Sequence, residues 1–139
     1  MEEESNMTKE KLMAYAREAA EFSYAPYSKF QVGAALLTEE GEVFTGCNVE
    51  NASYGATICA ERTALFKAVS EGKRNFSEIA IAAKDGSSAY PCGVCLQVMN
   101  EFMPEGTVFV EENGQIIEYT LRQLLPKGFS LQQSTTKIE

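Results

Sequence analysis

The chain has 139 residues, of which 45% are hydrophobic and 23% charged, the balance of one globular domain rather than of a disordered protein. Its formal net charge of -8 opposes binding to phosphate backbones and anionic membranes, so we expect a small neutral substrate and no nucleic acid. The acidic first residues and the lack of a long apolar stretch predict a cytoplasmic protein without a membrane span.

Helix and strand patterns alternate along the chain. Apolar residues at helical spacing predict helices, and continuous apolar runs between turn residues predict buried strands. In chain order we predict a helix over 8–24, strands over 30–38 and 42–50, a helix over 59–72, a strand over 78–84, a helix over 92–103, strands over 107–111 and 115–119, and a helix over 120–125.

Local signals mark several of these boundaries. Thr8 and Thr57 are candidate N-caps of the first two long helices. The pair Asn113-Gly114 predicts a hairpin turn, and Thr120 with Gln123 forms a capping-box pattern.

This order predicts an α/β fold with three layers, in which one mixed β-sheet is covered by helices on both faces. We expect a single domain over residues 1–139, with residues 1–7 and 131–139 frayed.

The four cysteines are Cys47, Cys59, Cys92 and Cys95. In a reducing cytoplasm they indicate metal binding or catalysis before disulfides. The chain has no histidine, so Ser-His and Cys-His nucleophilic machinery is excluded. Any transition-metal site must therefore use thiolates and carboxylates.

Cys92 and Cys95 are three positions apart at a predicted helix start, which places both sulfur atoms on one face of the helix. Cys59 stands at another predicted helix start and supplies a third thiolate if the two N-termini converge. The helix dipole there favours the thiolate form. A redox pair and chance packing remain alternatives for the C-x-x-C motif alone.

Glu61 stands two residues after Cys59. A purely structural zinc site needs no carboxylate beside the ion, whereas a glutamate there can accept a proton from metal-bound water and pass it on. The alternative is a closed structural site in which Cys47 is the fourth ligand and no catalysis occurs.

C-x-E followed by P-C-x-x-C is the signature of the zinc-dependent deaminases, with cysteine allowed as the first ligand. Together with this signature, "FQVGAALLTEEGEVFTGCNVENASYG", "CAERTALFKAVSEG", "PCGVCLQV" and "LLPKGF" resemble the short, homotetrameric, three-cysteine members of the cytidine and deoxycytidylate deaminase family. The resemblance extends over residues 8–130 and implies a cytidine-deaminase-like fold.

The resemblance implies that Cys59, Cys92 and Cys95 bind one Zn(II) per subunit and that water takes the fourth position. Glu61 would be the catalytic residue, moving protons during hydrolysis of cytidine and deoxycytidine to uridine and deoxyuridine with release of ammonia. Arg62 would compensate the charge of the ligand sulfurs.

The resemblance also implies a set of substrate contacts. The backbone N–H of Ala60 and the carbonyl of Tyr90 would hold the pyrimidine oxygen and amino group. Phe30 would pack on the base, while Asn48 and Glu50 would contact the ribose hydroxyls.

Tyr54 and Phe129 match aromatic residues that reach into a neighbouring subunit, so we expect a homotetramer with shared active sites. Leu96 departs from the family, which usually has arginine directly after the second cysteine of the pair. A deaminase of a blasticidin-type nucleoside is the alternative enzyme, although Asn48 and Glu50 favour an ordinary nucleoside. Editing of cytosines in RNA or DNA is disfavoured by the acidic charge.

Overall fold

A mixed five-stranded sheet forms the middle layer of the protein. The computed structural model describes residues 6–131, so the fraying predicted for residues 1–7 and 131–139 falls almost wholly outside the described residues. The helices and strands in chain order are α1 (Lys9–Ala19), β1 (Val32–Thr38), β2 (Val43–Cys47), α2 (Ala60–Ser70), β3 (Phe76–Ala83), α3 (Gly93–Phe102), β4 (Thr107–Glu112), β5 (Gln115–Thr120) and α4 (Leu121–Leu124).

The strands lie in the order β2-β1-β3-β4-β5. The pair β3-β4 is parallel and the other pairs are antiparallel. Parallel neighbours need a crossover, and α3 supplies it between β3 and β4. The predicted mixed character of the sheet is confirmed.

Helices cover both faces of the sheet. On one face α1 packs its buried residues Leu12, Met13 and Ala16 against Ala35, Ala80, Ala82 and Phe109. On the other face α2, α3 and α4 contribute Ala64, Leu65, Met99 and Leu121 to a larger core with Leu36, Ile79, Ile81 and Val108. Successive strand residues point to opposite faces, so a strand covered on both sides is apolar at every position. The predicted three-layer α/β/α arrangement is confirmed.

The end of the first helix and the N-cap of the second long helix differ most from prediction. The first helix ends at Ala19 and tightens into a 3₁₀ turn over Ala20–Phe22. It does not reach Tyr24, because the backbone N–H of Tyr24 instead donates to the carbonyl of Asn48 at 3.0 Å. Thr57 is not the N-cap of α2; its hydroxyl accepts from the backbone N–H of Asn51 at 3.1 Å, and Cys59 is the N-cap.

The other boundary signals are confirmed. Thr8 caps α1 by accepting from the backbone N–H of Lys11. Thr120 and Gln123 form both hydrogen bonds of the capping box of α4. Asn113 and Gly114 both have positive φ angles, 53° and 78°, as a tight turn between β4 and β5 requires. Within residues 6–131, no helix combines the length and apolar character needed to cross a membrane.

Gly33 in β1 allows α1 to approach the sheet closely. A Cβ atom at this position would overlap the carbonyl oxygen of Ala16 and lie 2.5 Å from the backbone nitrogen of Ala20. We therefore expect Gly33→Ala to lower the free energy of unfolding by about 3 kcal/mol, because backbone cannot move aside as a side chain can.

Chemical denaturation of the purified variants measures this loss. Gly55→Ala is the matched control, because a Cβ atom there would meet nothing within 4 Å, and its effect should stay within about 0.5 kcal/mol. Equal stability of the two variants would contradict the close packing of α1 on β1.

Candidate metal centre and active site

The N-termini of α2 and α3 converge on the same side of the sheet. Cys59 is the N-cap of α2 and Cys92 is the N-cap of α3, with Cys95 one turn further along. Neither N-cap thiol makes a capping hydrogen bond to its own helix. The sulfur atoms instead face one another: all three lie within 4.8 Å, and those of Cys59 and Cys92 are 3.9 Å apart.

This donor set fits zinc. Three thiolates are typical zinc ligands, and sulfur atoms on a tetrahedral zinc at about 2.3 Å lie about 3.8 Å from one another. The observed spacing approaches that value and is far longer than the ~2.05 Å of a disulfide. A redox pair needs two thiols, whereas here the sulfur of Cys59 joins those of Cys92 and Cys95, which favours a metal site over the redox-pair alternative.

Cys47 lies outside the cluster. Within the described residues, the metal-binding group comprises Cys59, Cys92 and Cys95. Cys47 ends β2 opposite Gly33 and lines a different cavity, between α1 and α2. The arrangement therefore gives no support to a closed site with Cys47 as fourth ligand.

Arg62 and the N-termini of α2 and α3 place positive charge beside the sulfur atoms. A guanidinium nitrogen of Arg62 donates to the sulfur of Cys59 at 3.5 Å. Hydrogen bonds from the Cys95 thiol and from Arg62 lower the pKa of Cys59 to about 5, although burial opposes them. The same hydrogen bond to Cys59 raises the pKa of Arg62. Since helix N-termini also favour anions, the surroundings favour the thiolate form of Cys59. The hydrogen bond to Cys59 and burial instead raise the pKa of the Cys95 thiol.

Glu61 lies in the first turn of α2 with only 4% of its surface exposed. It lines the same cavity as Cys59 and Cys92 but is not a member of the three-sulfur cluster. Burial raises the pKa of Glu61 to about 7. A carboxyl group with this pKa can both accept and donate a proton near neutral pH.

The cavity beside the cluster has a volume of about 300 Å³, in the range of small-molecule sites. Five residues that line this cavity are among the predicted substrate contacts: Phe30, Asn48, Glu50, Ala60 and Tyr90. Sequence reasoning missed others, which carry no motif of their own: Ser28, Thr57, Ile58, Ser88 and Ala89.

The side chain of Asn48 fixes the backbone between Phe30 and Val32, where β1 begins. Its side-chain nitrogen donates to the carbonyl of Phe30 at 2.9 Å, and its side-chain oxygen accepts from the backbone N–H of Val32 at 3.0 Å. The hydroxyl of Ser23 also donates to that oxygen. Asn48 thus positions Phe30 at the cavity, a role that no sequence signal indicated.

The carboxylate of Glu50 fixes the turn at residues 27–28, which precedes Phe30. One carboxylate oxygen accepts from the backbone N–H groups of Tyr27 at 3.0 Å and Ser28 at 3.1 Å, and the other accepts from the Ser28 hydroxyl. The hydrogen bond from the Ser28 side chain is the main cause of the lowered pKa of Glu50. The carboxylate is therefore ionised and fixed where it lines the cavity.

Three further residues lie outside the cavity lining. Tyr54 is 89% exposed and Phe129 is 59% exposed. The backbone of Phe129 is held by Gln97, whose side-chain amide donates to its carbonyl at 2.7 Å and accepts from its N–H at 3.2 Å. Leu96 packs in the core between α3 and the sheet. Because its side chain is apolar, it offers no charge to the sulfur atoms.

The fold and the site together define a zinc-dependent deaminase. The model of the cytidine and deoxycytidylate deaminase zinc-binding region matches residues 6–117, and the chain belongs to this family.

Individual relatives agree with this assignment. The chain is 51% identical over 126 residues to a cytidine deaminase of Halalkalibacterium halodurans, covering 89% of this chain and 96% of that protein. The crystal structure of cytidine deaminase from Burkholderia pseudomallei superposes with a TM-score of 0.83 at 47% identity, covering 88% of this chain and 100% of that one. A blasticidin-S deaminase of Bacillus cereus is 31% identical over 111 residues, covering 74% of this chain and 79% of that protein.

The cluster predicts a clear difference between cysteine variants. Cys92→Ser should lose most of its zinc, because it removes one of three sulfur donors. Cys47→Ser should keep one zinc per chain, because Cys47 lies outside the group.

Zinc per chain, measured by elemental analysis after dialysis against a weak chelator, tests both variants. Loss of zinc from Cys47→Ser would show that the fourth position holds that thiol and would contradict the open site.

Proposed function

We propose that this chain is a cytidine deaminase that hydrolyses cytidine and deoxycytidine to uridine and deoxyuridine and releases ammonia. The observation that carries the proposal is a buried carboxyl group, Glu61, lining a cavity together with two members of a three-thiol cluster. The proposed location is the cytoplasm, where thiols stay reduced.

Cys59, Cys92 and Cys95 would hold one zinc ion. When bound, the ion would supply Lewis acidity that lowers the pKa of water toward ~7, so hydroxide is available at neutral pH. Three thiolates outweigh the charge of Zn²⁺ and weaken that effect. Arg62 offsets the excess by donating a hydrogen bond to the sulfur of Cys59.

Glu61 would move the protons of the reaction. Its carboxylate takes one proton from the attacking water and delivers it to ring N3 as the oxygen adds to carbon 4. It then transfers the second proton from the new hydroxyl to the amino group. The bond between carbon 4 and nitrogen breaks, ammonia leaves, and the carbonyl of uracil forms. The raised pKa of Glu61 supports both directions of transfer.

The remaining cavity residues would bind and orient the nucleoside. Ala60 is the first residue of α2, where backbone N–H groups have no partner within the helix and can donate to the pyrimidine oxygen. The carbonyl of Tyr90 would accept from the amino group, and Phe30 would pack on the base. Asn48 and Glu50 would contact the ribose hydroxyls with the hydrogen-bonding capacity left to them.

A blasticidin-type nucleoside is the second candidate substrate, favoured by the 31% identity to a blasticidin-S deaminase. The higher identity to cytidine deaminases and the presence of Asn48 and Glu50 in the cavity support cytidine instead.

The active enzyme would be a homotetramer in which Tyr54 and Phe129 complete the site of a neighbouring subunit. Their high exposure supports this proposal, since large aromatic surfaces at 89% and 59% exposure are available for a partner.

Ultraviolet absorbance during conversion of cytidine to uridine tests the proposed reaction. We expect turnover of cytidine and deoxycytidine by purified, zinc-loaded protein. Glu61→Gln should retain its zinc but lose about 10³-fold in kcat, because its amide cannot accept the proton. Glu71→Gln, at the other end of α2, is the control and should keep wild-type turnover.

Wild-type protein that turns over blasticidin S but neither cytidine nor deoxycytidine would reject the proposed substrate. Unchanged kcat in Glu61→Gln would reject the proposed mechanism.

Mixed tetramers test the shared site. Glu61→Gln and Phe129→Ala subunits should each be poorly active alone. Unfolding and refolding them as an equal mixture should restore about a quarter of wild-type activity, because some sites then pair an intact Glu61 with an intact neighbouring Phe129. A mixture no more active than the average of its parents would indicate that each subunit works alone.

A further inference from the structure

The loop between β3 and α3 forms one wall of the proposed substrate cavity. It begins with a hydrogen bond from the backbone N–H of Lys84 to the carbonyl of Gln31 at 2.9 Å. A turn at Asp85 follows, where the carboxylate accepts from the backbone N–H of Ser87 at 2.9 Å. Residues 88–90 then line the cavity, and the chain reaches Cys92 at the start of α3.

The cavity-lining part of this loop is not held by backbone pairing. Among the described residues, the backbone groups of residues 88–91 take part in none of the backbone–backbone hydrogen bonds outside helices and strands. Their position therefore depends on side chains. Ala89 contributes by packing into the core, where it is 7% exposed.

Tyr90 makes the polar contact of this segment. Its hydroxyl donates to a carboxylate oxygen of Glu112, and the hydroxyl of Tyr119 donates to the same oxygen at 2.8 Å. The two tyrosine rings also meet edge to face, with centroids 6.5 Å apart. Hydrogen bonds to an ionised carboxylate are stronger than those between neutral groups. Tyr90 of the loop, Glu112 of β4 and Tyr119 of β5 therefore form one hydrogen-bonded unit.

The unit joins the loop to a rigid part of the fold. Glu112 is the last residue of β4, and Tyr119 lies in β5. These strands pair along six positions. The hairpin thereby provides a fixed anchor for the phenol of Tyr90.

We propose that Glu112 and Tyr119 are positioning residues for deamination: by anchoring the Tyr90 phenol, they fix the Tyr90 carbonyl at the cavity wall. The inference rests on the proposed function, in which that carbonyl accepts a hydrogen bond from the amino group of the substrate. Neither residue contacts substrate. Because the contact is made in both the bound substrate and the transition state, its loss weakens binding without slowing the chemical step.

Steady-state kinetics of matched variants test the proposal. Tyr90→Phe and Glu112→Gln should each raise KM for cytidine about fivefold to tenfold while kcat stays within about twofold. The double variant should have a KM close to that of the worse single variant, because both changes break the same contact. Glu118→Gln, on the opposite face of the same hairpin, removes an equal charge and should leave both constants unchanged.

Unchanged KM in both single variants, or a double variant whose effects multiply, would overturn the proposal. A fall in kcat with KM unchanged would also overturn it, because that result places the residues in the chemical step.

Amide hydrogen exchange gives a test that needs no substrate. In Glu112→Gln and in Tyr119→Phe, the hydrogen-bonded backbone amides of Lys84, Gly86 and Ser87 in this loop should exchange faster than in wild type, while Glu118→Gln should match wild type. Tyr119→Phe keeps the ring and provides the test if Glu112→Gln does not fold. Unaltered exchange in the folded variant would refute the anchor, even if the wild-type protein proved inactive on cytidine. If the variants exchange faster in the loop but the wild-type protein is inactive on cytidine, only the proposed substrate is refuted.

Discussion

Three sulfur atoms lie within 4.8 Å of one another and would repel strongly as thiolates, so binding a metal through all three requires positive charge around them. The fold supplies it in two ways. The parallel pairing of β3 with β4 requires a crossover helix, and α3 and α2 both pack on the same face of the sheet. Their N-termini, which carry partial positive charge, meet at the cysteines. Arg62 adds a full charge from the first turn of α2. A zinc ion on the three sulfur atoms would complete the balance.

The site divides between rigid and adjustable parts. The groups assigned to metal binding and proton transfer sit at the starts of two helices, where packing fixes them. The cavity walls are loops whose positions depend on side chains, with Asn48 and Glu50 holding one wall and Glu112 holding the other through Tyr90. Chemistry that needs exact geometry is therefore on regular elements, while the surfaces that select the substrate are on segments that sequence changes can reshape.

The parts of this structure that sequence reasoning predicted correctly depend on local signals. Alternating helix and strand patterns, the Asn113-Gly114 turn and the Thr120 capping box are set by neighbouring residues. The Cys92 and Cys95 spacing is likewise local. Whether Cys59 meets that pair depends on how the helices pack, because Cys59 and Cys92 are 33 positions apart. The sequence alone therefore predicts this meeting only if the two helix N-termini converge.

The features that sequence reasoning missed depend on contacts between distant residues. Thr57 has the chemistry of an N-cap, yet its hydroxyl bonds to Asn51 instead. Asn48 and Glu50 are predicted substrate contacts and both line the cavity. Their additional bonds to residues 27–32 were missed, because those residues come close only when β1 and β2 pair. The contact of Tyr90 with Glu112 spans 22 positions and carries no motif.

Zinc K-edge X-ray absorption of the purified protein tests the central claim most directly, since it counts the atoms around the metal. The open three-cysteine site predicts three sulfur neighbours at about 2.3 Å and one oxygen neighbour at about 2.0 Å. Four sulfur neighbours without a lighter atom would show that the fourth position is closed and would contradict the account.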